Sequence, residues 1–158
     1  MSHRTGISIA VLSLATLAGV GCRFGDAPRF RVLAVEEASR TDEAVVLRFT
    51  LEARNRTDDQ LPLRQADYAL DLDGRRVFSG SRSAEVTVGS FATQPFTLPA
   101  VVPIADAAEL LDGRSEVSYA LSGRVEYITP GQLAEVLFDS GLRRTTAPLG
   151  ARGVLELE

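Results

Sequence analysis

The stretch from Val45 to Gly80 (VVLRFTLEARNRTDDQLPLRQADYALDLDGRRVFSG) leaves this chain little choice of fold. Val45, Leu47, Phe49, Leu51 and Ala53 alternate with Val46, Arg48, Thr50, Glu52 and Arg54. A period of two, apolar on one side and wet on the other, predicts a strand in a sheet with one buried face. Asn55-Arg56-Thr57-Asp58-Asp59 ends that strand with side chains that bond their own backbone. Tyr68, Leu70 and Leu72 then point one way, with Asp71 between them. Asp73-Gly74 closes a hairpin, because the tightest hairpin turns need positive φ. Arg75 to Ser79 returns as the next strand, and Gly80 is expected to break it.

The remaining chain carries the same grammar. Phe30 to Glu36 reads as a first strand, with a turn at Thr41-Asp42-Glu43. Glu85 to Val88 is short and strand-like. Phe96 to Val102 is a strand flanked and interrupted by Pro95, Pro99 and Pro103, which lack N–H donors, so it belongs at a sheet edge. Ala105 to Asp112 predicts a brief helix with Ala107, Leu110 and Leu111 on one side and Gly113 as its stop. Glu116 to Tyr127 is the cleanest strand, with Val117, Tyr119, Leu121, Gly123, Val125 and Tyr127 facing the core. Thr129-Pro130-Gly131-Gln132 starts a second helix, Thr129 as its cap and Leu133, Val136 and Leu137 as its apolar side, stopped by Gly141. Gly153 to Leu157 is the last strand. About seven antiparallel strands with two short helices inserted predict a mainly β, two-sheet sandwich.

The N-terminus has a different character. Ser2-His3-Arg4 precedes an uncharged apolar run, Ile7 to Val20, that ends at Gly21-Cys22. A permanent membrane helix needs roughly 20 apolar residues. This run is shorter and breaks on glycines, which is the anatomy of a cleaved signal peptide over residues 1–21. Leu17-Ala18-Gly19-Val20-Gly21-Cys22 resembles a bacterial lipoprotein signal, which has a small residue before the modified cysteine. The resemblance implies that Cys22, the sole cysteine, becomes a lipidated N-terminus. More than one acyl chain would anchor it stably, each buried CH₂ adding about 0.8 kcal/mol. Arg23, where Asp would signal inner-membrane retention, implies the outer membrane facing the periplasm. Residues 22–29 form a tether, reaching at most about 30 Å from Cys22 to Phe30. Residues 30–158 are expected to be one domain, and a monomer.

Removing residues 1–21 takes away Arg4 and His3. It leaves 16 of the 17 arginines against 21 acidic side chains, a net charge of −5. The chain has no lysine. Scattered, mildly acidic charge argues against nucleic acid, which selects a clustered basic face. Without histidine, lysine or a free thiol, the usual general base, the Ser-His pair, Schiff-base chemistry and most zinc sites are excluded. No enzyme activity and no cofactor is expected. Asp71-x-Asp73-Gly74 opens like a calcium loop, but Arg75 follows and Arg82 occupies the closing position, so it reads as a turn. Asp58-Asp59 reads the same way. Arg75-Arg76 and Arg143-Arg144 are candidates for lipid phosphates, or more simply solvated strand-end charges. Val136-Leu137-Phe138 is the most apolar stretch outside the strands, a candidate surface for a partner or, more simply, a face packed on the sandwich.

The order of these features resembles the LEA-2 domain, the late-embryogenesis-abundant 14 type, also called the water stress and hypersensitive response domain. The resemblance rests on the strand ending in Asn55, on Asp67-Tyr68-x-Leu70-x-Leu72-Asp73-Gly74 with Gly80 six residues on, on the proline-bearing strand Phe96 to Pro103 before a short helix, and on Val117-x-Tyr119-x-Leu121-x-Gly123. Arg56 stands where that family often has proline. The resemblance implies an immunoglobulin- or fibronectin III-like β-sandwich and a non-enzymatic role in desiccation, cold or other stress. It implies no active site; Asn55, Tyr68, Asp73, Gly74, Gly80, Tyr119 and Gly123 are structural positions in it. Two roles are consistent with this. One is a lipid-anchored protective protein of the cell envelope. The other is an adaptor that docks an envelope protein through an edge strand or through the 130–140 helix, with Leu133 and Phe138 as its contacts.

Overall fold

The computed structural model describes residues 27–129, 131, 136–137, 139–141 and 144–157, and in them the alternation of the central stretch becomes seven strands and one helix. In chain order these are β1 (Arg29–Arg40), β2 (Ala44–Arg54), β3 (Leu61–Leu72), β4 (Arg75–Val88), β5 (Thr93–Pro103), α1 (Ile104–Leu110), β6 (Glu116–Tyr127) and β7 (Thr145–Glu156). They form two antiparallel sheets, one ordered β1-β2-β5 and the other β4-β3-β6-β7. The edges of the sheets meet, β4 against β5 and β1 against β7.

The period-two pattern decides the core. Val45, Leu47, Phe49, Leu51 and Ala53 of β2 are all fully buried, facing Leu70, Leu121 and Val125 of the other sheet within one continuous cluster. Phe49 meets Tyr119 edge-on across the two sheets, ring centroids 5.6 Å apart, a geometry that adds about 1 kcal/mol beyond simple burial. β5 is an edge strand. In an antiparallel ladder a strand's N–H groups alternate between its two sides, and Pro95, Pro99 and Pro103 all fall on the side facing away from β2. That parity removes donors where a foreign strand would pair.

Several boundaries differ from the sequence reading, each for a local reason. β3 begins at Leu61, not near Tyr68, because Pro62 is only its second residue and does not interrupt the ladder. Gly80 does not break β4, which runs on to Val88. It lies opposite Tyr68, and the strand bends at two register shifts instead. One of these contains Glu85 at φ 48°, where the extra residue of a bulge sits. The Glu85–Val88 segment is thus the end of β4. β7 starts at Thr145 rather than Gly153, since Pro148 is tolerated on an edge strand with its ring turned away from β6. β1 extends to Arg40 through two bulges.

The expected signal segment 1–21, Cys22 and most of the tether lie outside the described residues. So does most of the expected 130–140 helix. Its described part is a helical turn in which the Ser140 N–H donates to the Val136 carbonyl at 3.0 Å. Val136 and Leu137 do not both pack: Leu137 is half-buried and Val136 is 63% exposed. Neighbouring helical positions are about 100° apart, so the two side chains leave the turn in different directions.

Candidate functional site

The positions singled out in the sequence do not converge on one site; the fold sends them to three places. Tyr68, Gly80 and Gly123 form a row across the four-stranded sheet, with Tyr68 paired to Gly80 on β4 and to Gly123 on β6. The Tyr68 ring is buried, 5.2 Å from Phe78, and its hydroxyl donates to the Pro99 carbonyl of the other sheet. Burial pushes that phenol up to about 12. A Cβ on Gly80 would meet the Phe78 ring at 2.7 Å, and one on Gly123 would lie 2.8 Å from Tyr68 Cα. Tyr119 repeats the arrangement with Gly153 as its cross-strand partner, whose added Cβ would lie 2.9 Å from the Tyr119 hydroxyl. Gly80 and Gly153 each admit a neighbouring ring, and Gly123 lets the backbone of β3 come close.

Asp73 and Gly74 occupy the opposite end of β3, with φ of 47° and 82°, the two left-handed residues of a type I′ turn. The Asp73 carboxylate accepts hydrogen bonds from the Ser118 N–H at 3.1 Å and the Ser118 hydroxyl at 2.7 Å, and pairs with Arg114. Around this pole Arg75 pairs with Asp106 and Glu109, and Arg40 with Glu37 and Asp112. The turn carboxylates therefore face cations. Among the described residues there is no group of three or more histidine, cysteine or acidic side chains placed to hold a metal.

Bonding to Ser118 and Arg114 holds the Asp73 carboxyl below its ordinary 3.8, and Ser81, with Arg124 and Gln65, does the same for Asp67. Both shifts are depressions, so the ionised forms stabilise the fold above the ordinary aspartate value. That contribution is lost as pH falls through the lower folded-state values. Urea midpoints are expected to stay flat from neutral pH to about pH 5 and to fall below about pH 4. Asp73→Asn should be less stable than the parent at neutral pH and show a shallower acid slope. An unchanged slope would mean that this carboxylate is not linked to folding.

Asn55 marks the other pole. It is 1% exposed, and every polar atom of its carboxamide is engaged. Nδ2 donates to the Asp59 carbonyl at 2.6 Å and the Gly89 carbonyl at 2.9 Å, while Oδ1 accepts from the Thr57 N–H at 2.9 Å and the Thr57 hydroxyl at 2.8 Å. One side chain thus ties the β2–β3 loop to the β4–β5 loop. At the tip of the second loop stands Phe91, 72% exposed and at φ 50°. Its N–H donates to the Thr57 carbonyl at 2.9 Å, which fixes the tip against the Asn55 loop. In the sequence the one signal at Phe91 is an aromatic inside the short Gly89-Ser90-Phe91-Ala92 connection. A left-handed conformation costs a bulky L residue about 1–2 kcal/mol. Phe91→Gly is therefore expected to stabilise the protein by about 1 kcal/mol in a urea melt. Destabilisation would show that the ring packs against the loop.

Among the described residues, two depressions in the surface lie beside these positions. A shallow trough of about 600 Å³ lies on the wet face of the four-stranded sheet, floored by Gly80 and Gly123 and walled by Asp67, Ser81 and Arg124. An open groove of about 840 Å³ runs between the edges of β4 and β5, past Arg48, Arg82, Glu85, Pro95 and Pro99. Both are open to solvent, and their charged side chains stand at the walls.

A family model for late embryogenesis abundant proteins, LEA_2, matches residues 50–139, from within β2 to past the end of β6. The match spans the Asn55 loop, the Tyr68 row and the Asp73-Gly74 turn. No curated protein matches the sequence. Among solved structures, a protein from Arabidopsis thaliana determined in solution superposes with a TM-score of 0.64 at 15% identity, over 81% of this chain and 80% of that one. A late embryogenesis abundant protein, also a solution structure, gives 0.61 at 18% identity over 90% of this chain and 75% of that one. A crystal structure of a protein from Archaeoglobus fulgidus gives 0.53 at 9% identity over 84% and 97%. At these identities the superpositions speak to the fold alone.

Proposed function

Because the chain belongs to the LEA_2 family of late embryogenesis abundant proteins, we infer that it is an exported, lipid-anchored, non-enzymatic protein that protects other proteins of the cell envelope under water stress. The family match carries the stress-related part of this reading. The anchor rests on Cys22 after an apolar run with a small residue before it. Arg23 favours the outer membrane, facing the periplasm. The protective chemistry lies in the surface. Ten ion pairs among the described residues, nearly all at exposed arginines, keep a hydrated and charged exterior over an apolar interior. Such a surface stays wet as water is withdrawn, and separates neighbouring proteins without binding them.

The test is a drying or freeze–thaw assay on several unrelated enzymes. Retained client activity at high mole ratio, with no stable complex on sizing, supports protection. Protection of a single protein, through a complex that survives sizing, would replace it with the adaptor reading. Exposed Val136 favours the 130–140 connection as the docking element in that case, while the prolines of β5 disfavour strand addition at that edge.

A further inference from the structure

We propose that the pole bearing Phe91 rests on the lipid surface, with Phe91 as a fixed apolar tip in the headgroup layer. This deepens the anchored reading above and rests on it. The two poles of the sandwich differ in kind. At the Asp73 pole, Arg40, Arg75 and Arg114 are all paired with carboxylates. At the other, the most exposed large apolar side chain among the described residues stands out from a loop whose backbone is pinned. Phe91 N–H bonds to Thr57 O, Ala92 N–H to Gly89 O and Asn55 N–H to Ala92 O, at 2.9, 3.2 and 2.9 Å. A strained backbone that presents an aromatic ring to solvent gains nothing from packing inside this chain. Strain of this kind is found where a residue must be presented.

The register places the N-terminal side of the domain at the same pole. Arg29 pairs with Arg54, and Arg54 with Thr93, two residues beyond Phe91. Five residue steps separate Cys22 from Ala27, so in any conformation Ala27 lies within about 18 Å of an acylated Cys22. The anchor thus keeps this pole, and not the ion-paired one, next to the bilayer. The connection between β6 and β7 leaves and returns here too, carrying exposed Val136. Asp58 and Asp59 offset two of the three arginines Arg29, Arg54 and Arg56, and Arg144 is paired with Glu126, so the contact is mainly apolar and should depend little on lipid charge. Short apolar tips of this kind lodge at the boundary of headgroups and acyl chains.

The chain contains no tryptophan, so Phe91→Trp introduces a single reporter. Val154→Trp, on an exposed site paired with Ser118 towards the other pole, is the control. Full-length acylated protein is reconstituted into phosphatidylcholine vesicles, with and without brominated acyl chains or added phosphatidylglycerol. The expected result is emission at shorter wavelength and strong bromine quenching at position 91, alike in both lipids, with neither effect at 154. Water-like, unquenched emission at 91 on vesicles that carry the protein overturns the contact while leaving the anchor intact. A shift without bromine quenching assigns the tip to a protein, a second copy included, and also overturns it. Protein that neither floats with vesicles nor carries acyl mass removes the anchor, and this inference falls with it.

Discussion

Replacing Asn55 with alanine should lower the stability of the protein by about 3 kcal/mol, read as a fall in urea midpoint at unchanged slope. The substitution strips partners from the Asp59 and Gly89 carbonyls and the Thr57 N–H in one step. Buried polar groups left unpaired cost about 1–3 kcal/mol each, and solvent entering the loops will recover part of that. Asn55→Asp should be no milder. A carboxylate keeps an acceptor for Thr57 but presents an oxygen to two carbonyls that need a donor. The loss should also be local: the Phe91 amide, bonded to Thr57, is expected to exchange faster than amides of β2. A cost below about 1 kcal/mol would show that the two loops hold each other without this side chain.

Gly123→Ala is expected to cost about 3 kcal/mol, at the upper end for overpacking a well-packed site. The new Cβ would press on the Asp67 carbonyl oxygen and lie 2.8 and 2.9 Å from Tyr68 Cα and Cβ. Two of these neighbours are backbone, so relief requires β3 and β6 to separate at the middle of the sheet. Gly150→Ala is the control, since nothing lies within 4 Å of the added carbon. It should change stability little. Equal effects at the two positions would mean that glycine is needed for chain flexibility and not for close approach. Gly80→Ala should fall between them, because its obstacle is the end of the Phe78 ring.

What could be read in the sequence follows from the range of each interaction. The core of β2 is legible because alternation is local and five inward positions run without exception. The Asp73-Gly74 turn is legible because two left-handed residues in succession leave few residue types to choose from. The full lengths of β3, β4 and β7 are not, since each is set by cross-strand pairing and bulges and not by local pattern. Pro62, Gly80 and Pro148 look like breaks until their pairing shows that each is harmless where it stands. The Asn55 network is half legible: an asparagine ending a strand announces a turn, but its bonds to Gly89 and Val88 span more than thirty residues. Phe91 is not legible, because an exposed aromatic carries no periodic signal. Its meaning comes from φ and from the strand order that brings the N-terminal side of the domain alongside it.

The proposed orientation at the membrane and the proposed placement in the envelope both start from Cys22, whereas the protective role starts from the family. Mass spectrometry of the intact native protein from fractionated cells, beside a Cys22→Ala form, tests this most directly. The expected result is a membrane-bound chain that begins at Cys22 and carries acyl mass, and a Cys22→Ala chain released from the membrane. A mature protein that begins elsewhere, carries no lipid and fractionates with soluble protein would contradict it.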